Sequence, residues 1–249
     1  MSPSPLSNYV IRSLSYSGID QAKIKLFRVK IFQITPPSTG FFQVELDQDV
    51  IDYLWKIIDK AKLKKEDYKS KLAGNINESF AIHDENNFFY NKVCIPLVEE
   101  FRIKNHGNDP FDKRYVQMEF NTPLLLNEFW VNYQYQTEFN PFHQHGGVYS
   151  FAIWLKIPYD WNEQIELPQF KGTKKEDRKA GIFEFEYIDS LGSIRSYKYH
   201  LTPKFEGSMV FFPAALRHSV YPFFGTKEPR VSISGNLWYD TTKNLNKDN

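Results

Sequence analysis

The sequence predicts a mainly β chain with flanking helices (α+β), in which a sandwich or barrel carries helices on one outer face. From about residue 115 onward, about eight short β runs alternate with turn residues over roughly 125 positions, a spacing typical of sandwiches and barrels. Aromatic residues make up 17% of the chain, with 22 Phe and 15 Tyr, and such residues favour sheet over helix. With 249 residues, the chain can bury a substantial core.

The predicted β runs are each bounded by turn residues. They are RYVQMEFN (114–121), NEFWVNYQYQ (127–136), GVYSFAIWLKIP (147–158), GIFEFEYID (181–189), SIRSYKYHL (193–201), GSMVFFP (207–213), RHSVYPFF (217–224) and RVSISGNLWY (230–239). An earlier segment, 22–34, also alternates like a strand. The polar stretch 160–180 interrupts the rhythm, and we interpret it as either a surface excursion or a lid over a site.

Two helical stripes precede the main β region. The first contains Val50, Ile51, Leu54, Ile57, Ile58 and Ala61, and the second contains Phe89, Val93, Leu97 and Phe101. Pro96 predicts a kink or a restart in the second helix. Because both stripes are one-sided, we expect the helices to pack outside the β unit. We predict a single domain over 1–249, with N-terminal strands and supporting helices over 1–114 and a β core over 115–240.

Composition excludes several classes of protein. The formal net charge of +1 gives no concentrated basic surface, so we expect no nucleic-acid partner. No run approaches the roughly 18 apolar residues of a membrane span, and the first residues lack the apolar core of a secretory signal, so we expect no membrane partner. The single cysteine, Cys94, cannot form an intramolecular disulfide, which suits a reducing, cytoplasmic location. The oligomeric state is not indicated.

Two histidines, His143 and His145, stand two positions apart ahead of the apolar run of 147–158. In a strand, residues two apart point to the same face, so both rings could meet one metal ion. The alternative is that they are ordinary polar loop residues.

A second part of the chain favours the metal site. His218 opens a strand after GSMVFFP, and Arg230 begins another strand in which Ser232, Ser234, Asn236 and Trp238 alternate with the apolar Val231, Ile233 and Leu237. The polar face would line a barrel interior, which indicates a ligand pocket. A buried arginine requires an anion, and its planar fork suits a carboxylate.

This order and spacing resembles the iron(II)- and 2-oxoglutarate-dependent dioxygenases, over roughly 115–240, and is most similar to phage and bacterial members near the prolyl-hydroxylase-like branch. The resemblance implies a double-stranded β-helix (a jelly-roll or cupin-like barrel). It also implies that His143, His145 and His218 are the metal-binding and catalytic residues. Arg230 would pair with the distal carboxylate of 2-oxoglutarate, and Ser232 would hydrogen-bond to it. Asn132, Gln134 and Gln136 would face the cosubstrate if their face of the strand is inward, and Tyr133 and Tyr135 if the other face is.

His145 departs from the usual His-x-Asp or His-x-Glu motif of that family. Three neutral histidines can hold Fe(II), but they also suit zinc or copper. In a second register, His145 is the first ligand and Gly147 takes the position of the acid, as in the halogenases of the family. Trp238 shares the face of Arg230 and is interpreted as a core aromatic residue.

The resemblance implies an enzyme that uses Fe(II), 2-oxoglutarate and O2 to hydroxylate an unactivated C–H bond. The substrate would be a peptide, an amino acid or a small metabolite. Two alternatives stay open, a cupin-like metalloenzyme without a cosubstrate and a non-catalytic β-barrel ligand-binding protein. Neither alternative requires a buried arginine 12 residues after His218.

Overall fold

The computed structural model describes residues 40–105 and 122–242. The predicted strands over 22–34 and 114–121 lie outside these ranges. The helices are α1 (Gln48–Lys64), α2 (Ile95–Lys104) and the short α3 (Trp161–Gln164), and a π-helical turn over Tyr90–Cys94 leads into α2. The strands are β1 (Phe42–Glu45), β2 (Glu78–Ala81), β3 (Leu124–Gln134), β4 (Asn140–His143), β5 (Tyr149–Lys156), β6 (Ile182–Ile188), β7 (Ile194–His200), β8 (Ser208–Pro213), β9 (Arg217–Val220) and β10 (Arg230–Tyr239).

Two antiparallel sheets make up the β region. The larger has the order β1-β8-β5-β10-β3-β2, and the smaller has the order β4-β9-β6-β7. From β3 to β10 the chain crosses between the sheets at every step except the β6–β7 hairpin, so that most neighbouring strands come from distant parts of the sequence. Eight strands wound in this way form a double-stranded β-helix, or jelly roll. Strands β1 and β2 extend the two edges of the larger sheet.

The two faces of the larger sheet pack against different partners. Along β5, Phe151 and Ile153 belong to a core cluster that also contains the apolar stripe of α1 and residues of α2. On the opposite face, Trp154 lies 5.6 Å from Phe183 of the smaller sheet, measured between ring centroids. Since successive side chains of a strand point to opposite faces, β5 separates the helical layer from the space between the sheets.

The second predicted helix is two elements. Pro96 stands in the first turn of α2, directly after the π-helical turn, so the chain restarts at this point as its proline predicts. The wider π turn rotates the apolar stripe, and Val98 is buried while Leu97 is only half-buried. Cys94 is fully buried at the same junction, and burial raises the pKa of its thiol.

Candidate functional site

Three imidazoles converge between the two sheets. His143 at the end of β4 is in register with His218 of β9, and their ring centroids are 4.3 Å apart. His145 lies beyond β4, in the loop before β5, and its Nε2 is 3.2 Å from Nε2 of His218. One nitrogen from each ring falls within 4.8 Å of the others, which is the spacing that a single metal ion can bridge. The structure therefore brings together the three predicted metal-binding residues.

The loop position of His145 differs from the expected geometry. The two histidines were predicted to share one face of a strand, but β4 ends at His143 and the ring planes meet at 84°. The His145 amide donates to the carbonyl of Ala214 at 2.9 Å, which ties the loop to the chain just after β8. Sequence proximity brings the two rings close, and this backbone contact, rather than strand alternation, sets the position of His145.

Backbone carbonyls orient two of the rings. Nδ1 of His143 donates to the carbonyl of Pro141 at 2.8 Å, and Nδ1 of His218 donates to that of Leu216 at 3.0 Å. Because a carbonyl oxygen only accepts, the proton resides on Nδ1 in both rings. Nε2 of each ring then carries the free lone pair, as a metal ligand requires.

The environment keeps all three rings neutral near pH 7. Burial lowers the pKa of His145 to about 4, and the neighbouring His143 lowers it further in the same direction. Burial also lowers the pKa of His143, and it lowers that of His218 well below the usual value, with a contribution from the other two rings. Neutral imidazole is the form that binds metal ions, so these residues need lose no proton to do so.

Aromatic residues surround the histidines. Phe183 stacks on His218, with centroids 5.5 Å apart and planes 20° apart, and Phe212 lies 5.0 Å from the same ring. Trp130 of β3 lies 5.8 Å from His145. These rings exclude water from one side of the cluster and account for the burial that lowers the histidine pKa values.

The histidines line a cavity of about 140 Å³ that also contains Arg230. Arg230 is 1% exposed, and its Nη1 donates to the Tyr159 hydroxyl at 2.6 Å. Its Nη2 donates to Oε1 of Gln134, whose Nε2 donates to the carbonyl of Glu138 at 2.5 Å. Within residues 40–105 and 122–242, no carboxylate lies within ion-pair distance of Arg230. A buried guanidinium without an acidic partner indicates a site for an anion.

The other predicted cosubstrate residues line the same cavity. Ser232 of β10 pairs with Asn132 of β3, and Arg230 pairs with Gln134 two positions away. Oδ1 of Asn132 is buried and has no hydrogen-bond partner among the described residues, and the same holds for Nε1 of Trp130 and Oδ1 of Asn140. Buried polar groups are almost always hydrogen-bonded, so these atoms point to a molecule that the cavity binds.

Three other candidate cosubstrate residues from the sequence lie away from the cavity. Tyr133 faces the helical layer, and Tyr135 is 36% exposed, so the inward face of β3 is the one that carries Asn132 and Gln134. Gln136 follows the end of β3 and accepts a hydrogen bond from the Gly225 amide at 3.2 Å, away from the cavity.

The second register places Gly147 where an acid would stand, but Gly147 does not line the cavity. At φ +89° it turns the chain against Trp238. This tryptophan is 38% exposed, so the interpretation of Trp238 as a core residue was wrong.

Residues 160–180 do not line the cavity either, so the interpretation of this stretch as a surface excursion fits better than that of a lid.

Sequence reasoning missed other residues that line the cavity. Glu128 and Trp130 continue the inward alternation of Asn132 and Gln134 along β3, and the same period-two pattern could have found them. The segment between α1 and β2 contributes Tyr68, Lys71, Leu72, Ala73 and Ile76 to the lining. No sequence signal marked this segment or Tyr159, because they reach the site through tertiary packing alone.

Inside the double-stranded β-helix, one cavity therefore contains a buried arginine and three histidines, of which His218 is buried and the other two are half-buried, and the three rings could hold a metal ion. Residues 128–236 match the family model described as "Putative 2OG-Fe(II) oxygenase". This match confirms the resemblance to iron(II)- and 2-oxoglutarate-dependent oxygenases, a family that uses Fe(II), 2-oxoglutarate and O2. No curated protein matches the chain.

Solved structures of similar shape share little sequence with the chain. A Pseudomonas putida prolyl-4-hydroxylase matches with a TM-score of 0.45 and 12% identity, over 81% of this chain and 92% of its own. A prolyl hydroxylase from Trichoplax adhaerens, in complex with a peptide fragment of the oxygen degradation domain of hypoxia inducible factor, matches with a TM-score of 0.45 and 12% identity, over 85% and 89%. HygX from Streptomyces hygroscopicus, with nickel and 2-oxoglutarate bound, has a TM-score of 0.37 and 12% identity, over 82% and 84%. In the described part of the chain, no helix has the length and apolar character needed to span a membrane.

Proposed function

We propose that the protein is an Fe(II)- and 2-oxoglutarate-dependent oxygenase that hydroxylates an unactivated C–H bond of a peptide, an amino acid or a small metabolite. In this proposal His143, His145 and His218 hold the metal, and Arg230, Ser232, Asn132 and Gln134 bind 2-oxoglutarate. The observation that carries the proposal is a single cavity lined by three neutral imidazoles and by a buried arginine that has no acidic partner among the described residues. The same proposal includes a single domain over 1–249, with N-terminal strands and supporting helices over 1–114 and the double-stranded β-helix core over 115–240. It also includes a cytoplasmic location.

In this proposal, Arg230 binds the distal carboxylate of 2-oxoglutarate and so favours a cosubstrate with two carboxylates. The guanidinium has five N–H donors, and the contacts to Tyr159 and Gln134 occupy two of them. The remaining donors can bind a carboxylate in bidentate fashion. Because the Gln134 amide nitrogen is held by the Glu138 carbonyl, its oxygen is fixed toward Arg230, and the arginine is oriented before any ligand enters.

The cavity wall supports the chemistry that the cofactors supply. When bound, Fe(II) and 2-oxoglutarate supply an oxidation in which O2 converts 2-oxoglutarate to succinate and CO2 and one oxygen atom enters the C–H bond. Phe183, Phe212 and Trp130 keep bulk water from the histidines. Asn132 leaves a buried carbonyl oxygen available to a hydrogen-bond donor in the cavity.

Anaerobic titration of the metal-free protein with Fe(II), and then with 2-oxoglutarate, tests the proposal. We expect one Fe(II) per chain and a weak visible charge-transfer band once 2-oxoglutarate is added. The variant His218→Ala should lose metal binding, while His200→Ala, a histidine remote from the cavity, should retain it. Tight metal binding without the band would favour a cupin-like metalloenzyme, and no metal binding would favour a β-barrel binding protein.

A further inference from the structure

Glu128 lies in the same cavity as the three histidines, toward the opposite end from Arg230. Glu128, Trp130, Asn132 and Gln134 alternate along the inward face of β3, and all four line the cavity. At about 3.3 Å per residue, the backbone of Glu128 is about 20 Å from that of Gln134, the partner of Arg230. Trp130, which contacts His145, stands between them. The cavity therefore has a cationic end, a metal-binding middle and an anionic end.

Neutral donors alone hold the Glu128 carboxylate. Nδ2 of Asn236 donates to Oε2 at 2.5 Å, and Nε1 of Trp238 donates to the same oxygen at 3.4 Å. The Ser150 hydroxyl donates to Oδ1 of Asn236 at 2.6 Å, which fixes that amide with its NH2 toward Glu128. Burial, and after it the nearby Glu128 carboxylate, raises the pKa of the Tyr68 hydroxyl. In the ranges that the structure describes, Glu128 has no lysine, arginine or histidine within ion-pair distance.

Aromatic faces lie next to this carboxylate. Tyr68 and Trp130 stack with centroids 4.7 Å apart and planes 10° apart, and both line the cavity. The ammonium of Lys71 lies 4.8 Å from the centroid of Tyr68, so this aromatic pair already attracts one cation of the chain itself. Trp130 is 3% exposed, and its buried Nε1 has no partner among the described residues, which leaves a donor for an acceptor atom of a ligand.

We propose that Glu128, together with Tyr68 and Trp130, binds a cationic group of the substrate, an ammonium or a guanidinium. The inference rests on the proposed function, because it assigns this end of the cavity to the substrate and the Arg230 end to 2-oxoglutarate. A partly buried carboxylate beside aromatic faces attracts a cation through both charge and the ring quadrupole. An anionic substrate would meet repulsion from Glu128, and the exposed Lys71 is the one cationic side chain that the described residues place at this end of the cavity.

Propylguanidine and propylurea test the inference, because they have nearly the same shape and differ in charge. Calorimetric titration would be performed on the metal-free protein and, without oxygen, on the protein loaded with Fe(II) and 2-oxoglutarate. We expect propylguanidine to bind at least about tenfold more tightly than propylurea. Glu128→Gln, which retains a hydrogen-bond acceptor, should abolish this preference, and Glu163→Gln, on the exposed surface, should not.

Lys71→Met gives an independent readout if Glu128→Gln does not fold. Removal of the exposed Lys71 charge should strengthen propylguanidine binding by about two- to threefold, with no change for propylurea. Equal affinity for the two probes, or a preference that survives Glu128→Gln, would overturn the inference. Because the metal-free titration needs no iron, failure to bind Fe(II) counts against the proposed function alone.

Discussion

Replacement of Arg230 by methionine tests the assignment of 2-oxoglutarate most directly. The change keeps much of the side-chain length but removes a guanidinium that is 1% exposed and bonded to Tyr159 and Gln134. Removal of one partner of a buried, hydrogen-bonded charge pair costs about 2–5 kcal/mol of binding free energy. At about 1.4 kcal/mol per tenfold, the dissociation constant of 2-oxoglutarate should rise by about 30-fold to several thousand-fold.

The affinity for Fe(II) should change little in Arg230→Met, because no described contact joins Arg230 to the three histidines. Anaerobic titration that follows the charge-transfer band measures the cosubstrate, and competition with a chelator measures the metal. Arg217→Met is the matched control, since Arg217 precedes His218 but is half exposed and paired with Glu186 at 3.1 Å. A 2-oxoglutarate affinity within threefold of the unmodified protein, or an equal loss of Fe(II), would refute the reasoning.

Three further predictions follow from the site and the sheet. In the metal-free protein, His145 has a pKa of about 4 when folded and about 6.5 when unfolded. The unfolded state therefore binds more protons between these values, and stability should fall by about 3 kcal/mol as pH drops from 7 to 4. Urea unfolding midpoints measured across this pH range would show the loss of stability. The variant His145→Gln should lose less stability over the same range, and a pH dependence equal to that of the unmodified protein would contradict the prediction. His145→Asp, which restores a carboxylate, should keep Fe(II) binding, whereas His145→Ala should weaken it at least about tenfold by chelator competition; equal loss in both would exclude His145 as a ligand. Gly235→Ala should destabilise the fold by about 1–3 kcal/mol in denaturant titrations, because its Cβ would lie 2.5 Å from Cζ of Phe151 and 2.7 Å from the Glu128 carbonyl; an unchanged midpoint would contradict this close packing.

The β core could be predicted from local pattern because each of its long strands is bounded by turn residues. The two strands that pair at the centre of the larger sheet, β5 and β10, fall within the predicted runs. Strands β1, β2, β4 and β9 have four residues each, which is too short for alternation to stand out from chance, and of these only β9 lies within a predicted run. Their pairing energy comes from a neighbouring strand that lies far away in sequence, as for β1 against β8.

The site was predictable to the extent that its residues follow strand alternation. Arg230, Ser232, Asn132 and Gln134 share the inward face because two antiparallel strands place them in register. His145 and Tyr159 lie outside strands, so their positions depend on loop contacts such as the His145 amide with Ala214. No periodicity encodes such a contact.

His145 stands where the usual motif of the family has a carboxylate, and this difference changes the electrostatics of the whole cavity. Two imidazoles and a carboxylate would cancel one charge of a divalent metal ion, whereas three neutral imidazoles cancel none. Arg230 adds a further positive charge in the same cavity, and no described acid pairs with it. The Glu128 carboxylate lies at the opposite end of the cavity from Arg230, so the two carboxylates of 2-oxoglutarate would be the compensation that reaches both the metal and the arginine. Each should therefore bind more tightly in the presence of the other, by the same factor, because coupling between two ligands is reciprocal.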